Sequence, residues 1–139
     1  MKSKFFYLVF MLFSRSVFSA DDDAVQYRLA LDNASYKFVE CSVYYNIASI
    51  GVAGRGEKEL ANKLDEASSL ALKIAVDISA INQDRAMAEK VTQSRMELMA
   101  KEMTKEINSD LSNSSILINK YSEKCTKYMK DPMSVMSTE

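Results

Sequence analysis

Residues 60–81, LANKLDEASSLALKIAVDISAI, decide the fold. Leu60, Leu64, Ala67, Ala71, Ile74, Ile78 and Ile81 recur in alternating steps of four and three, an apolar seam held over three heptads. No stretch of the chain alternates with a period of two for long enough to suggest a strand, and helical spacing appears almost everywhere. Beyond Ile81 the register fails, because Arg85, Thr92 and Arg95 fall on the same stripe. Asn82-Gln83-Asp84 therefore reads as a turn or kink. Ahead of the seam, Glu57 opens the helix with an acid in its first turn. The run Gly51-Val52-Ala53-Gly54-Arg55-Gly56 holds every glycine in the chain and marks its clearest break.

Outward from this helix the same spacing predicts the rest. A first helix ends near Ile50 and starts near Asp32 or Asn33, or as early as Ala24. A third carries Met87, Val91, Met96, Met99 and Met103. A Ser- and Asn-rich stretch from Asn108 to Ser115 suggests another turn with local caps. The stripe Ile107, Leu111, Ser114, Ile118, Tyr121, Cys125 and Tyr128 runs across it, so the last two helices either join or break there. Asp131-Pro132 ends the final helix, since proline disfavours helical geometry in the residue before it. The expected fold is a small all-α up-and-down bundle of three to four helices over residues 33–131. It is flanked by an acidic, partly mobile segment at 20–32 and a frayed tail at 132–139.

The chain has 139 residues, 27% of them charged and 47% hydrophobic, which is one domain's worth of sequence. It contains no His and no Trp. That excludes Ser-His-Asp and Cys-His nucleophile pairs, His-ligated zinc or haem, and imidazole acid–base chemistry. Residues 1–19 read as an export signal. Lys2 and Lys4 precede an unbroken apolar run from Phe5 to Phe13, and Val17 and Ser19 occupy the −3 and −1 positions of a cut after Ser19. The run is too short to span a bilayer, which needs about 20 residues. The expected product has no transmembrane anchor after cleavage and lies in the periplasm of a Gram-negative cell, or is secreted. Removing the leader leaves fifteen bases against nineteen acids, a net charge of −4. An acidic chain of this kind is not expected to bind nucleic acid, which requires clustered Lys and Arg. Two cysteines in an exported chain read as one disulfide, Cys41 to Cys125.

The first helix carries two apolar faces. Tyr36, Val39, Val43, Ile47 and Ile50 cluster on one side, and Ala34, Phe38, Cys41, Tyr45 and Ala48 on nearly the opposite one, with Lys37, Glu40, Ser42, Asn46 and Ser49 on the strips between. The disulfide commits the Cys41 face to the core. Either this helix is central and covered on both sides, or the Val43 face is a docking surface for another protein or a second copy. Met96, Met99 and Met103 put three thioethers on one helix face, a pattern that fits core packing and, as an alternative, a Cu(I) site. Tyr44 and Tyr45, with Tyr121 and Tyr128, suggest an aromatic layer beside the disulfide. The glycine run lacks the strand before it and the Gly-Lys-Ser/Thr after it that a phosphate loop requires.

Glu40-Cys41-x-x-Tyr44-Tyr45-x-Ile47-Ala48, together with Tyr121-x-x-x-Cys125 and Asp131-Pro132, resembles small exported helical proteins of proteobacteria. The resemblance covers two short segments and implies a disulfide-linked helical fold with no known activity. The functional expectation is a non-enzymatic envelope protein without a cofactor that acts by protein–protein binding, of immunity, inhibitor or assembly-subunit type. The alternative is a carrier of a small ligand or soft metal.

Overall fold

The structure, a computed structural model, describes residues 19–136, with the side chains of residues 19 and 20 left aside. The export-signal reading falls on residues 1–18, outside this range, and on Ser19, which starts the first helix. The described residues form four α-helices: α1 (Ser19–Gly54), α2 (Lys58–Ser79), α3 (Arg85–Glu106) and α4 (Ser115–Lys130). Short 3-10 turns at Leu111–Asn113 and Pro132–Val135 flank α4. No strand occurs among these residues, so the all-α expectation holds. Two compact units divide at Ala30 and Leu31, and the bundle belongs to the second.

Helix boundaries follow local chemistry. Asp84 caps α3, its carboxylate accepting from the Met87 backbone N–H at 3.0 Å, which realises the turn expected at Asn82–Asp84. The break before α4 uses Asn108 and Ser109 in left-handed backbone, at φ 54° and 57°, with the Ser109 N–H donating to the Thr104 carbonyl at 2.8 Å. This ends α3 at Glu106, so of the stripe only Ile118, Tyr121, Cys125 and Tyr128 share one helix, α4, while Ile107, Leu111 and Ser114 lie in the connection before it. Gly56 supplies the positive φ of 87° that turns the chain between α1 and α2. Gly51, expected at the break, instead lies inside α1. A Cβ there would stand 3.2 Å from Ser114 Oγ, so the missing side chain lets the α3–α4 connection pass close to α1.

Two expected boundaries need correction. Helix α1 begins at Ser19, with Asp21 and Asp22 in its first turn, ahead of both expected starts, near Asp32 or Asn33 and at Ala24. Three carboxylates beside the free N–H groups of a helix start favour helix there. The tail from 132 to 136 is ordered into the fold. Asp131 accepts from the Met133 N–H at 3.2 Å, Pro132 sits where its missing N–H costs nothing, and Val135 is buried in the core. Lys37 Nζ donates to the Val135 carbonyl at 3.3 Å.

The contact between α1 and α2 is built from small residues. Ser35 Oγ donates to the Ala75 carbonyl at 2.9 Å, and Ser49 Oγ donates to the Ala61 carbonyl at 2.9 Å. Between them Ser68 Oγ donates to the Ser42 carbonyl at 2.9 Å, while the two hydroxyls lie 3.2 Å apart. Positions 35, 42 and 49 ascend by seven as 75, 68 and 61 descend by seven, the signature of antiparallel helices in heptad register. This corrects the seam read on α2. Ala61, Ser68, Ala71 and Ala75 are buried, while Leu60 and Ile81 are exposed and Leu64, Ala67, Ile74 and Ile78 are half-buried. It also corrects the strips on α1, because Ser42 is fully buried, as is Ser35, which no face had claimed. Small side chains let the backbones approach, and the bulkier row flanks the contact.

Helix α1 is central. Its Cys41 face carries the disulfide to α4, with a Cα–Cα distance of 5.4 Å. Phe38, Val39, Val43, Tyr44, Tyr45, Ile47 and Ala48 join Met99, Met103, Ile107, Leu117, Tyr121, Tyr128 and Val135 in one core.

Candidate functional site

The expected docking face is filled by the bundle itself. Val39, Val43 and Ile47 are buried, and only Tyr36 and Ile50, at its two ends, are about half exposed. Of the two readings of α1, the covered central helix is the one observed between Tyr36 and Ile50. The physical reason is the core just described: α3 and α4 supply the cover that the apolar spacing demanded.

Where α1, α3 and α4 meet near Tyr36, the surface opens into a notch of about 20 Å³. It is lined by Tyr36 and Glu40 from α1, by Met99, Glu102, Met103 and Glu106 from α3, and by Tyr121 from α4. On α3, Met99 with Met103 and Glu102 with Glu106 are each one turn apart, so thioethers and carboxylates alternate along one helical edge. Tyr121 Oη donates to Glu106 Oε1 at 2.8 Å, and Lys120 Nζ donates to Glu106 Oε2 at 2.8 Å. Lys124 Nζ lies 2.7 Å from Glu40 Oε2. Both ammonium groups also sit over the Tyr121 ring, at 4.9 and 4.5 Å from its centroid.

These contacts set the ionisation of the group. Burial works against the Glu106 carboxylate, but the hydrogen bonds from Lys120 and Tyr121 outweigh it and hold its pKa below the ordinary value. Lys120 moves up, chiefly through its bond to Glu106. Burial raises the phenol of Tyr121, and it raises those of Tyr44 and Tyr45 as well. At neutral pH Glu106 is therefore ionised and the Tyr121 phenol neutral. Two of the notch's three carboxylates are matched by lysines, and Glu102 forms no ion pair among the described residues.

The aromatic layer expected beside the disulfide is present in two parts. Tyr44 stacks at 4.9 Å on Tyr45 and at 5.9 Å on Tyr121, whereas Tyr128 pairs with Phe38 at 6.3 Å. The Tyr121 hydroxyl finds Glu106, and the Tyr45 hydroxyl finds Thr126. Met99 and Met103 are 4% and 2% exposed and line the notch from the core side, while Met96 is half-buried against the core and does not line it. Arg55, at the tip of the glycine turn, is tied to Glu57 at 3.2 Å.

Sequence reasoning missed Glu40, Glu102, Glu106, Lys120 and Lys124. The paired spacing of Met99/Met103 and Glu102/Glu106 was a usable signal. The partnership with Tyr121 was not, because it depends on the packing of α4. Two polar atoms on the inner side of α3, Thr92 Oγ1 and Arg95 Nη1, are buried without a hydrogen-bond partner, although Arg95 Nη2 reaches Asp32 Oδ1 at 2.6 Å. Thr92 and Arg95 are two of the three residues whose polarity broke the α2 stripe in the sequence.

No family model, curated protein or solved structure matches this chain. Among the described residues no three His, Cys, Asp or Glu side chains are grouped to hold a metal ion, and no helix is long and apolar enough to cross a membrane.

Proposed function

We propose that this chain is an exported, non-enzymatic helical protein that works by binding another protein of the cell envelope, as an inhibitor, immunity protein or assembly subunit. The observation that carries the reading lies in the first turns of α1. Val25, Tyr27 and Leu29 are 51%, 55% and 51% exposed, in a segment where every residue from Asp21 to Leu29 is exposed. Val25 and Leu29 are one turn apart on one side of the helix, and Tyr27 lies on the other. Val25 and Leu29, held open one turn apart, form an apolar strip that association would cover, at about 25 cal/mol per Å² removed from water, with Tyr27 exposed on the opposite side. The contact surface thus moves from the Val43 face to the N-terminal turns of the same helix. Export is supported by the leader pattern and by the use of both cysteines in a disulfide.

The test is site-specific photo-cross-linking in the native host. A photoreactive residue at Tyr27 or Leu29 is expected to give a discrete adduct with one protein, and one at the exposed Lys73 of α2 none. No adduct at Tyr27 and Leu29, or the same adducts at Lys73, would overturn the proposal.

A further inference from the structure

We infer that the notch between α1, α3 and α4 is a site for one soft monovalent cation, Cu(I) or Ag(I), held by the thioethers of Met99 and Met103 and balanced by Glu102. This site is separate from the docking segment and does not depend on it.

Three observations converge. The first is donor chemistry. Thioethers select soft monovalent metals. The chain has no His, and both its thiols are consumed in the disulfide, so methionine is its remaining soft ligand. Of the methionines on α3, Met99 and Met103 both line this notch, one helical turn apart. The second is room. A volume of about 20 Å³ is enough for a water-sized occupant. The third is charge. Glu40 is matched by Lys124 and Glu106 by Lys120, which leaves Glu102 as one uncompensated negative charge at the rim. A monovalent cation neutralises it. A hard divalent ion would need several converging carboxylates, and no such trio is present among the described residues. Tyr36 stands half exposed in the lining, while Met99 and Met103 are nearly completely buried on its core side.

The experiment uses the oxidised, leader-free protein and Ag(I), which binds as Cu(I) does and does not change oxidation state. Native mass spectrometry is expected to show a one-to-one complex. In protein labelled with ¹³C at the methionine methyl groups, the Met99 and Met103 signals are expected to shift together on titration, while those of the exposed Met87 and Met133 stay in place. Met99→Leu and Met103→Leu keep the core volume and are each expected to weaken binding at least tenfold. Glu102→Gln is expected to weaken it severalfold. Absence of the one-to-one complex would overturn the site. So would shifts confined to Met87 and Met133, or a doubly substituted Met99→Leu, Met103→Leu protein that binds Ag(I) as tightly as the parent. The methyl map is recorded on the unsubstituted protein, so the test survives a variant that fails to fold.

Discussion

Glu106 ties α3 to α4 through polar chemistry, because one carboxylate accepts from both Lys120 on α4 and Tyr121 beside it. Its folded pKa lies below the ordinary value, so the unfolded chain binds the proton more readily than the folded one. The resulting stabilisation is complete above the normal glutamate range and is lost as pH falls through the folded value. We expect the urea midpoint of the parent to drop between about pH 5 and pH 3. We expect Glu106→Gln, which keeps an acceptor but cannot titrate, to flatten that drop and to be less stable than the parent near neutrality. Unfolding curves across that pH range check this, and an unchanged acid limb in the variant would assign the titration elsewhere. The tyrosines act at the opposite end. Burial raises the phenols of Tyr44, Tyr45 and Tyr121, so their contribution is present below the ordinary tyrosine pKa and is lost as pH rises through the folded values.

At the level of elements, the sequence made the helices legible and their contact faces less so. The turn or kink at Asn82–Asp84, the start of α2 after Glu57 and the end of α4 at Asp131-Pro132 were readable, since each rests on local chemistry, whereas the apolar stripe crossing residues 107–118 left the break before α4 open. The apolar count on α1 also showed that this helix needs cover on two sides. What local reasoning could not see was that Ser35, Ser42 and Ser49 face α2. A serine on a helix looks like a solvated strip unless its partner is known to be equally small. Running the α2 seam from Leu60 to Ile81 through its large apolar residues followed from the same assumption that size marks the interface. In this contact the small residues sit at the centre and the large ones at the flank. The prediction is correspondingly asymmetric. Ser42→Ala removes one reciprocal hydroxyl contact and should cost about 1 kcal/mol in denaturant unfolding. Ser42→Leu has no room between the helices and should cost about 3 kcal/mol or more. Comparable losses from both would mean that the hydrogen bond, not the close approach, dominates.

For the molecule as a whole, the disulfide ties the central helix to the last one across 84 residues of chain. A loop of that length implies about 4–5 kcal/mol of stabilisation through the unfolded state. Replacing Cys41 and Cys125 together by Ala should lower stability by an amount of that order, and reducing agent should then have no further effect on the unfolding midpoint. The fold class and this link were legible from composition and spacing alone. The notch was only half legible, because its α3 edge follows from i,i+4 spacing while Tyr36, Glu40 and Tyr121 arrive through tertiary packing.

The ladder between α1 and α2 has a consequence for uniqueness. Its rungs repeat every seven residues with similar small groups, so sliding one helix by a whole heptad, about 10 Å along the axis, again sets small against small. Only the central rung distinguishes one alignment from the next, since Ser42 and Ser68 alone present a hydroxyl on both sides. What forbids the slide is the leash. Only Arg55, Gly56 and Glu57 separate the two helices, far too little chain to yield that distance. A circularly permuted chain opened at Gly56, with its old ends joined by a long linker, would lose the leash while keeping every side chain. Such a chain should populate alternative alignments, visible as doubled amide signals along α2, and Ser68 would then carry the whole burden of choosing among them.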